Sequence, residues 1–286
     1  MCRRYLQKAK LVTITKAIIP VAGWGTRRLP ITKTIEKCML PIGNRPLVDY
    51  VVQDCLKAGI TELIFVVGEG STQLEDYYRS NIQLNDYLRR NGKEDKLPMV
   101  APLEGVTLHF VTQSSYGKYG TAVPVALAAD YIHEGESVVV LMGDDFFYNE
   151  DDSSEVSRLI EATPQGDNGI LGAILNSSTP DGQFYGSIEV DESDNFLRVN
   201  EFPEVLPEVF IKNVSKYLLN YNMLQAIKQY VERDDVDGEY YIFTPFEPLL
   251  ESGEEKMKLV RAQGQYLDGG NVEGWLHANN VVVGKS

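Results

Sequence analysis

Glycines and long cations are concentrated in one short stretch near the start of the chain. An apolar run ends at a turn with Gly23 and Gly25, which is followed by Arg27 and Lys37. Glycines let a backbone approach a phosphate so closely that its N–H groups bind the oxygens, and fixed cations neutralise charge on a leaving group. With Thr26 as a further donor, this stretch favours binding of a triphosphate whose pyrophosphate end is exposed.

The same stretch differs from two common phosphate-binding loops. It lacks the GxxxxGK[ST] pattern of Walker A, and Arg28 stands where the dinucleotide fingerprint has its third glycine. A strand-to-helix turn with solvated cations has a similar composition. The stretch alone therefore leaves two interpretations open.

Carboxylates at two other places are candidates for binding a hard cation. Asp144 and Asp145 follow an apolar run in "LMGDD", and Asp268 follows another in "YLDGGNVEGW". Mg²⁺ usually takes one or two protein carboxylates beside substrate phosphates, although a single Asp after a strand often only caps a helix. Together with the basic stretch, the pattern predicts that Asp144 and Asp268 hold Mg²⁺.

The elements that must position these residues alternate along the chain. Apolar patterns predict strands at residues 17–22, 62–68, 106–112 and 137–144, of which the first, second and fourth are nearly continuously apolar. Helical periodicity and alanine content predict helices at residues 46–59 and 121–132. We therefore expect an α/β fold with a largely parallel sheet that binds ligands at the carboxyl ends of its strands. Shorter strands after residue 168 are expected to continue the same sheet.

Composition argues against several classes of protein. The 286 residues carry a net charge of −14, which argues against a nucleic-acid partner because such binding requires basic patches. The cysteines and histidines show no disulfide or metal-binding spacing, which is typical of a reduced, cytoplasmic protein. We expect no membrane partner, because no apolar run reaches about 18 residues and the N-terminal segment lacks the apolar core of a signal peptide.

Several segments, in the order found here, resemble one enzyme family. They are "IPVAGWGTRRLPITKTIEKCMLPIGNRPLVDYVV", "VTQSSYGKYGTAV", "LMGDD", "YGSIEV", "NEFPE" and "DGGNVEGW". The chain resembles the bacterial UTP:glucose-1-phosphate uridylyltransferases, or UDP-glucose pyrophosphorylases, of the sugar-1-phosphate nucleotidyltransferase superfamily. The resemblance covers residues 16–283. It implies a Rossmann-like, glycosyltransferase-A-like mixed sheet that is mainly parallel and flanked by helices.

The resemblance also implies an organisation and partners. Residues 1–15 are expected to form an N-terminal tail and residues 16–286 a single domain. Within it, residues 16–150 would form the nucleotide-binding half and residues 151–286 the sugar-phosphate-binding half. The implied substrates are UTP and a hexose 1-phosphate, and the implied assembly is a homodimer or homotetramer.

Loop chemistry and the resemblance together indicate a set of nucleotide-binding residues. They are Ala22, Gly23, Gly25, Thr26, Gln113, Gly120 and Asp144. Ala22 and Gly23 would contact the base and ribose. Gln113 and Gly120 would read the uracil edge, for which an amide offers both a donor and an acceptor; an ordinary amide at a strand end is the alternative.

The implied reaction is an in-line attack by a sugar 1-phosphate oxygen on the α-phosphorus, which expels pyrophosphate. Arg27 would hold the β- and γ-phosphates and Lys37 the α-phosphate, while Asp144 and Asp268 carry Mg²⁺. The phosphate is already a nucleophile, so positioning and charge neutralisation would supply the rate without a covalent enzyme intermediate.

On the sugar side, the resemblance implies that Tyr185 and Gly186 line the hexose pocket. Glu201 would accept hydrogen bonds from sugar hydroxyls, unless it is simply a solvated acid.

Two departures from the family lie close to these residues. Glu36 and Cys38 flank Lys37 where the family has proline and glutamate, and Glu36 could pair with Lys37 or Arg27 and weaken their pull on phosphate. Phe202 replaces a family lysine that contacts the sugar phosphate. A substitute charge could come from one of three other lysines, and the sequence does not decide among Lys118, Lys212 and Lys216.

A third departure is the aromatic segment "GEYYIFTPFEPLL" at residues 238–250, where the family has a helix. Pro245 and Pro248 are expected to shorten or bend that helix. We expect the aromatic side chains to pack in the core or against another subunit, with a changed acceptor sugar as the alternative.

Other functions stay open at this point. Phe202 and Glu36 could mark a catalytically weak paralogue that binds nucleotide or sugar nucleotide and regulates a partner. The same chemistry with TTP, CTP or another hexose 1-phosphate is also open, because uracil and thymine share a Watson–Crick edge. A glycosyltransferase is a more distant alternative, because its metal motif is typically an isolated DxD.

Overall fold

The computed structural model describes residues 14–176, 186–200 and 207–284. Its strands are β1 (Lys16–Pro20), β2 (Pro41–Ile42), β3 (Arg45–Pro46), β4 (Glu62–Gly68), β5 (Thr107–Gln113), β6 (Ser137–Leu141), β7 (Asp145–Tyr148), β8 (Asn168–Asn176), β9 (Ser187–Val190), β10 (Phe196–Asn200), β11 (Val209–Asn220), β12 (Met257–Arg261) and β13 (Gln265–Asp268). Its α-helices are α1 (Leu47–Lys57), α2 (Gln73–Tyr78), α3 (Ile82–Arg90), α4 (Ala122–Ala128), α5 (Glu155–Ala162), α6 (Tyr221–Glu232), α7 (Phe246–Glu251) and α8 (Val272–Val283). Short 3-10 helices lie at Thr26–Arg28, Ile31–Lys33, Lys37–Met39, Glu94–Val100 and Ala129–Tyr131.

The first half of the sheet is parallel and covered on both faces. Strand β1 pairs in parallel with β4 and β6, and β5 extends the sheet beyond β4. Ala17 and Ile19 pack in the cluster that includes helix α1, whereas Ile18 packs in the cluster that includes α4. Both faces of β1 are therefore buried, which explains why its sequence is continuously apolar after Lys16.

Beyond β6 the sheet becomes mixed. Strand β11 runs antiparallel to β6, β8 and β9, while β10 pairs with β9 and β12 lies parallel to β8. The main path is β10-β9-β11-β6-β1-β4-β5, with β8 and β12 joined to it at β11. The predicted fold class is confirmed, and the strands after residue 168 continue the same sheet as expected. Among the described residues, no helix is both long and apolar enough to cross a membrane.

Two predicted elements end three or more residues earlier than expected. The strand predicted to reach residue 144 ends at Leu141, and beyond it the Gly143 N–H still donates to Pro20 O at the end of β1, at 3.3 Å. Helix α4 ends at Ala128 and continues as a short 3-10 turn. The first change matters for function, since it frees the residues after Leu141 to face the end of β1.

The aromatic segment packs mainly in the core. Tyr240, Phe243 and Phe246 are buried, and the Phe243 ring lies 5.5 Å from that of Tyr217. Helix α7 begins directly after Pro245 and has only six residues, which agrees with the shortening expected from the prolines. Core packing, one of the expected interpretations, therefore accounts for these three side chains.

Candidate active site

A cleft opens at the carboxyl ends of β1, β5 and β6. Its volume is about 500 Å³, which is within the usual range for small-molecule sites. Most of the predicted site residues line this one cleft: Ala22, Gly23, Arg27, Lys37, Gln113, Gly120, Asp144 and Asp268. Distant parts of the sequence therefore meet where a ligand of a parallel sheet is expected.

Gly25 shapes the turn that carries the cations. Its φ is +62°, and a side chain there would place a Cβ 3.0 Å from both Lys37 Cβ and a methyl of Thr32. The Thr32 hydroxyl donates to Gly25 O at 2.9 Å and holds the turn closed. Gly25 and Thr26 lie outside the cleft lining and build the turn, so their role in nucleotide binding stays a prediction.

Lys37 and Asp144 form an ion pair at the centre of the cleft. Burial acts to raise the pKa of Asp144, but the charge of Lys37 and the hydrogen bond from its ammonium outweigh burial, so the pKa lies below its usual value. Asp144 is therefore held as a carboxylate. Its side chain is about one third exposed, so it also faces the cleft.

Arg27, Lys37 and Asp268 converge around Gly270. A Cβ built on Gly270 would lie 2.7 Å from Asp268 Oδ1, 3.5 Å from Lys37 Nζ and 3.7 Å from a terminal nitrogen of Arg27. The backbone N–H of Gly270 donates to Asp268 Oδ1 at 2.6 Å and fixes this carboxylate. Both long cations of the basic stretch thus meet a carboxylate from the other end of the chain.

Arg28 joins the basic stretch to the segment after β13, a role that sequence reasoning did not assign. Its guanidinium donates to Asn271 O at 2.7 Å and Gly269 O at 3.2 Å, and it lies 5.0 Å from the ring centre of Trp275. Burial lowers the pKa of Arg28, and the charge of Asp268 opposes that shift. The doubled arginine was a visible signal, but its partner on α8 was not.

A buried network supports Asp144 from below. The Lys216 ammonium pairs with Asp145 Oδ1, and the Tyr266 hydroxyl donates to Asp145 Oδ2 at 2.8 Å. Strand β13 pairs with β7 so that Asp268 lies opposite Asp145. The two candidate metal ligands therefore sit on neighbouring chain segments that the network holds in place.

The carboxylates of Asp144 and Asp268 fit a magnesium site in which the ion retains several water ligands. Asp144 and Asp268 are two hard oxygen ligands at one edge of the cleft, beside cations that would face phosphates. Within the described ranges, no group of three or more His, Cys, Asp or Glu side chains could hold a metal ion. This donor set suits Mg²⁺, which needs only one or two carboxylates, better than a metal that requires a full protein cage.

Glu36 contacts a neighbouring loop instead of the cations. Its carboxylate accepts from the Ser71 hydroxyl at 2.7 Å and from Gln73 N at 3.1 Å. The Gln73 side chain in turn accepts from Glu36 N at 3.0 Å and donates to Thr34 O at 2.7 Å. This Glu36–Gln73 clasp ties the basic stretch to the loop after β4 and leaves Lys37 paired with Asp144.

Gln113 and Gly120, the two residues predicted to read the base, both line the cleft. Gln113 is the last residue of β5. Gly120 has φ +121°, and a Cβ there would lie 2.5 Å from Tyr240 N and O. Only a glycine fits where the chain crosses the aromatic segment so closely, whatever its contact with a base. A Cβ on Gly23 would meet no described atom within 4 Å, so its backbone is open to a ligand.

Of the predicted sugar-side residues, the structure describes one. Gly186 is buried, and its carbonyl accepts from the N–H of Asn213, which lines the cleft, at 2.9 Å. Tyr185 and Glu201 lie outside the described residues, as does Phe202. Their roles stay predictions.

Comparison with known proteins adds to this geometry. A model of the nucleotidyl transferase family matches residues 16–283. The chain belongs to the nucleotidyl transferase family.

One curated relative of this nucleotidyl transferase is the UTP–glucose-1-phosphate uridylyltransferase of Streptococcus pyogenes. The two are 40% identical over 135 residues, which cover 47% of this chain and 43% of the relative. The chain thus spans less than half the length of the curated relatives it matches.

Solved structures of similar proteins share the fold over almost the whole chain. A UTP-bound UGPase from Acinetobacter baumannii has a TM-score of 0.80 at 24% identity, covering 96% of this chain and 94% of that one. A UDP-glucose pyrophosphorylase complexed with UDP-glucose has a TM-score of 0.75 at 23% identity, covering 96% and 100%. At these identities the likeness concerns the fold.

Proposed function

We propose that this nucleotidyl transferase makes UDP-glucose and pyrophosphate from UTP and glucose 1-phosphate. The observation that carries the proposal is the convergence of Arg27, Lys37, Asp144 and Asp268 in one cleft at the carboxyl ends of the parallel strands. Cations beside carboxylates are what a transfer between phosphates requires. The names of the relatives add support for uridine and glucose.

The proposal assigns the binding of the triphosphate to the basic stretch. Arg27 binds the β- and γ-phosphates and neutralises the charge of the departing pyrophosphate. An ammonium has three N–H donors, so Lys37 keeps its bond to Asp144 and still binds an α-phosphate oxygen. The two cations thereby orient the α-phosphorus for in-line attack by the sugar phosphate.

Nucleotidyl transferases commonly use a divalent metal ion, and we propose Mg²⁺, held by Asp144 and Asp268. When bound, Mg²⁺ neutralises phosphate oxygens and helps to orient the triphosphate. Arg28 and the Asp145 network then serve to keep these two carboxylates at their places.

The choice of base and the broader setting are also proposals. Gln113 and Gly120 recognise the uracil edge, with TTP as the competing nucleotide. Residues 16–286 act as one domain with a nucleotide-binding and a sugar-phosphate-binding half. A cytoplasmic location and assembly as a homodimer or homotetramer stay predictions. Light scattering after gel filtration measures the oligomeric state.

The proposal is tested by pyrophosphate release from the purified protein. UTP, TTP, CTP, ATP and GTP are each paired with a panel of hexose 1-phosphates in the presence of Mg²⁺. We expect the highest kcat/KM with UTP and glucose 1-phosphate, and no release in EDTA. A clear preference for another pair would retain the chemistry and correct the substrates. No turnover with any pair, alongside binding of UDP-glucose in calorimetry, would replace the proposal with a regulatory paralogue.

A further inference from the structure

Strand β11 places a buried lysine in the cleft, and this lysine does not belong to the basic stretch. Lys212 is 1% exposed, and it lines the cleft together with Asn213 and Ser215 of the same strand. We propose that the Lys212 ammonium binds the phosphate of the hexose 1-phosphate and so positions the attacking group. This inference rests on the proposed function.

The place of Lys212 in the sheet matches an acceptor site. Strand β11 lies two strands from β1, with β6 between them, which corresponds to about 10 Å at the usual spacing of strands. Lys212 pairs in register with Ser187, next to Gly186. A group bound there contacts the second half of the chain, whereas Arg27 and Lys37 belong to the first half.

The ammonium is held on a rigid support. Lys212 Nζ lies 4.1 Å from the ring centre of Tyr266, a distance at which the ring attracts a cation. The Tyr266 hydroxyl is in turn anchored on Asp145, which pairs with Lys216. A cation fixed in this way loses little side-chain freedom when it binds a ligand, which favours affinity.

The other two candidate lysines are placed differently. Lys216 pairs with Asp145 and is absent from the residues described as lining the cleft. Lys118 does line the cleft, but its ammonium donates to Val231 O and Arg233 O, both at 2.7 Å, and pairs with Asp234. The structure therefore gives different places to three lysines that the sequence left equal. Lys216 is not part of the cleft lining, Lys118 is bound at the end of α6, and Lys212 lies in the cleft wall on the strand that pairs with Ser187.

Charge balance also favours a cation at this place. Asp144, Asp145 and Asp268 all lie near the point where the two substrates would meet. A sugar phosphate that approaches an α-phosphate brings further negative charge and requires a positive partner of its own. Arg27 and Lys37 face the triphosphate, so a separate lysine at the acceptor wall meets that need.

Steady-state kinetics of two variants test this inference. Lys212→Met keeps the aliphatic stem and removes the charge, and Lys212→Arg keeps the charge. For Lys212→Met we expect the KM for glucose 1-phosphate to rise about 10- to 100-fold, the loss typical of one charge-assisted hydrogen bond. The KM for UTP should stay within about 2-fold, and Lys212→Arg should fall between the wild type and Lys212→Met.

Lys118→Met is the matched comparison, because it removes a charge from the same cleft. We expect its KM for glucose 1-phosphate to stay near the wild-type value. An unchanged KM in folded Lys212→Met, equal changes for both substrates, or a selective loss in Lys118→Met instead would overturn the inference. Circular dichroism and thermal melting establish which variants are folded.

Direct binding separates failure of this inference from failure of the proposed function. If the wild type releases no pyrophosphate with any substrate pair, the proposed function fails, and titration of glucose 1-phosphate in calorimetry decides about Lys212. Weaker binding to Lys212→Met than to the wild type supports the phosphate contact. Equal binding, or no binding to the wild type, overturns it.

Discussion

The cations of the cleft are positioned in two ways. On the side of β1 they lie in turns, and on the side of β11 a lysine lies within a strand. Arg27 and Lys37 follow β1 in 3-10 turns, where Gly25 and Gly270 leave room for their side chains. Lys212 lies in the middle of β11, where sheet pairing fixes the backbone and the Tyr266 ring supports the side chain. Glycine therefore shapes the first region, and packing shapes the second.

This difference predicts how each region responds to substitution. In the proposed function, charges in the basic stretch act on the phosphates that react, so their loss should lower kcat. The lysine in the strand should instead affect the affinity for the acceptor. The contacts that align the two regions should affect stability or positioning more than chemistry.

Loss of the central carboxylate is expected to have the largest effect. Asp144→Asn keeps the shape of the side chain but removes the negative charge that pairs with Lys37 and faces the proposed metal. We expect kcat/KM to fall about 10³-fold, at the upper end for removal of one preorganised electrostatic contact. The assay is pyrophosphate release with UTP and glucose 1-phosphate. Asp151→Asn, at an exposed position, is the control, and comparable activity of the two variants would contradict the assignment.

Removal of the central cation should cost somewhat less. Lys37→Met is expected to lower kcat about 10²-fold, since the α-phosphate loses a fixed positive charge in the transition state. The KM for glucose 1-phosphate should change little, in contrast to Lys212→Met. Lys33→Met serves as the control, because Lys33 is an exposed lysine of the same stretch. A Lys37→Met enzyme with normal kcat and a raised acceptor KM would reverse the comparison of the two regions.

A methyl group added at Gly120, where the chain passes close to the backbone of Tyr240, should destabilise the fold. Gly120→Ala places a Cβ 2.5 Å from the Tyr240 backbone at a φ of +121°, and we expect the free energy of unfolding to fall by about 2 kcal/mol or more. Urea denaturation measures the change. The matched variant is Gly117→Ala, where the Cβ would meet only Ser114 Cβ at 4.0 Å. Equal stability of the two variants would show that the close crossing does not constrain residue 120.

The smallest expected effect concerns the Glu36–Gln73 clasp. Glu36→Ala removes the hydrogen bonds to Ser71 and Gln73 and loosens the segment that carries Lys37. We expect kcat to fall roughly 3- to 10-fold, consistent with about 1 kcal/mol for a net hydrogen-bond contribution. Single-turnover kinetics measure the chemical step. A faster chemical step in Glu36→Ala would restore the hypothesis that Glu36 weakens the pull of Lys37 on phosphate.

Local patterns made the meeting of the basic stretch and the paired carboxylates predictable from the sequence. Arg27, Lys37 and Asp144 meet as expected, because a glycine turn and paired carboxylates each follow a strand of one parallel sheet. Asp268 joins them from β13, which pairs with β7 outside that sheet. The orientation of individual side chains was less accessible. Glu36 is adjacent to Lys37 in sequence, yet its carboxylate bonds to the loop after β4.

Two features of the site depend on contacts that no local pattern marks. The role of Arg28 depends on a helix near the other end of the chain, which places Trp275 and the carbonyl of Asn271 beside it. Lys212 and Lys216 of β11 have different partners, the Tyr266 ring for the first and Asp145 for the second. The sequence indicated which lysines to consider, and only the packed structure distinguishes them.

The central claim is that the α–β bond of UTP breaks while the sugar phosphate attacks the α-phosphorus. Phosphorus NMR of the wild-type protein with UTP, glucose 1-phosphate and Mg²⁺ follows every phosphate at once and therefore tests this claim most directly. We predict that the three UTP resonances and that of glucose 1-phosphate decline together. Pyrophosphate and the two coupled resonances of UDP-glucose should appear in equal amounts. Release of orthophosphate, or UTP consumption without loss of glucose 1-phosphate, would contradict the account.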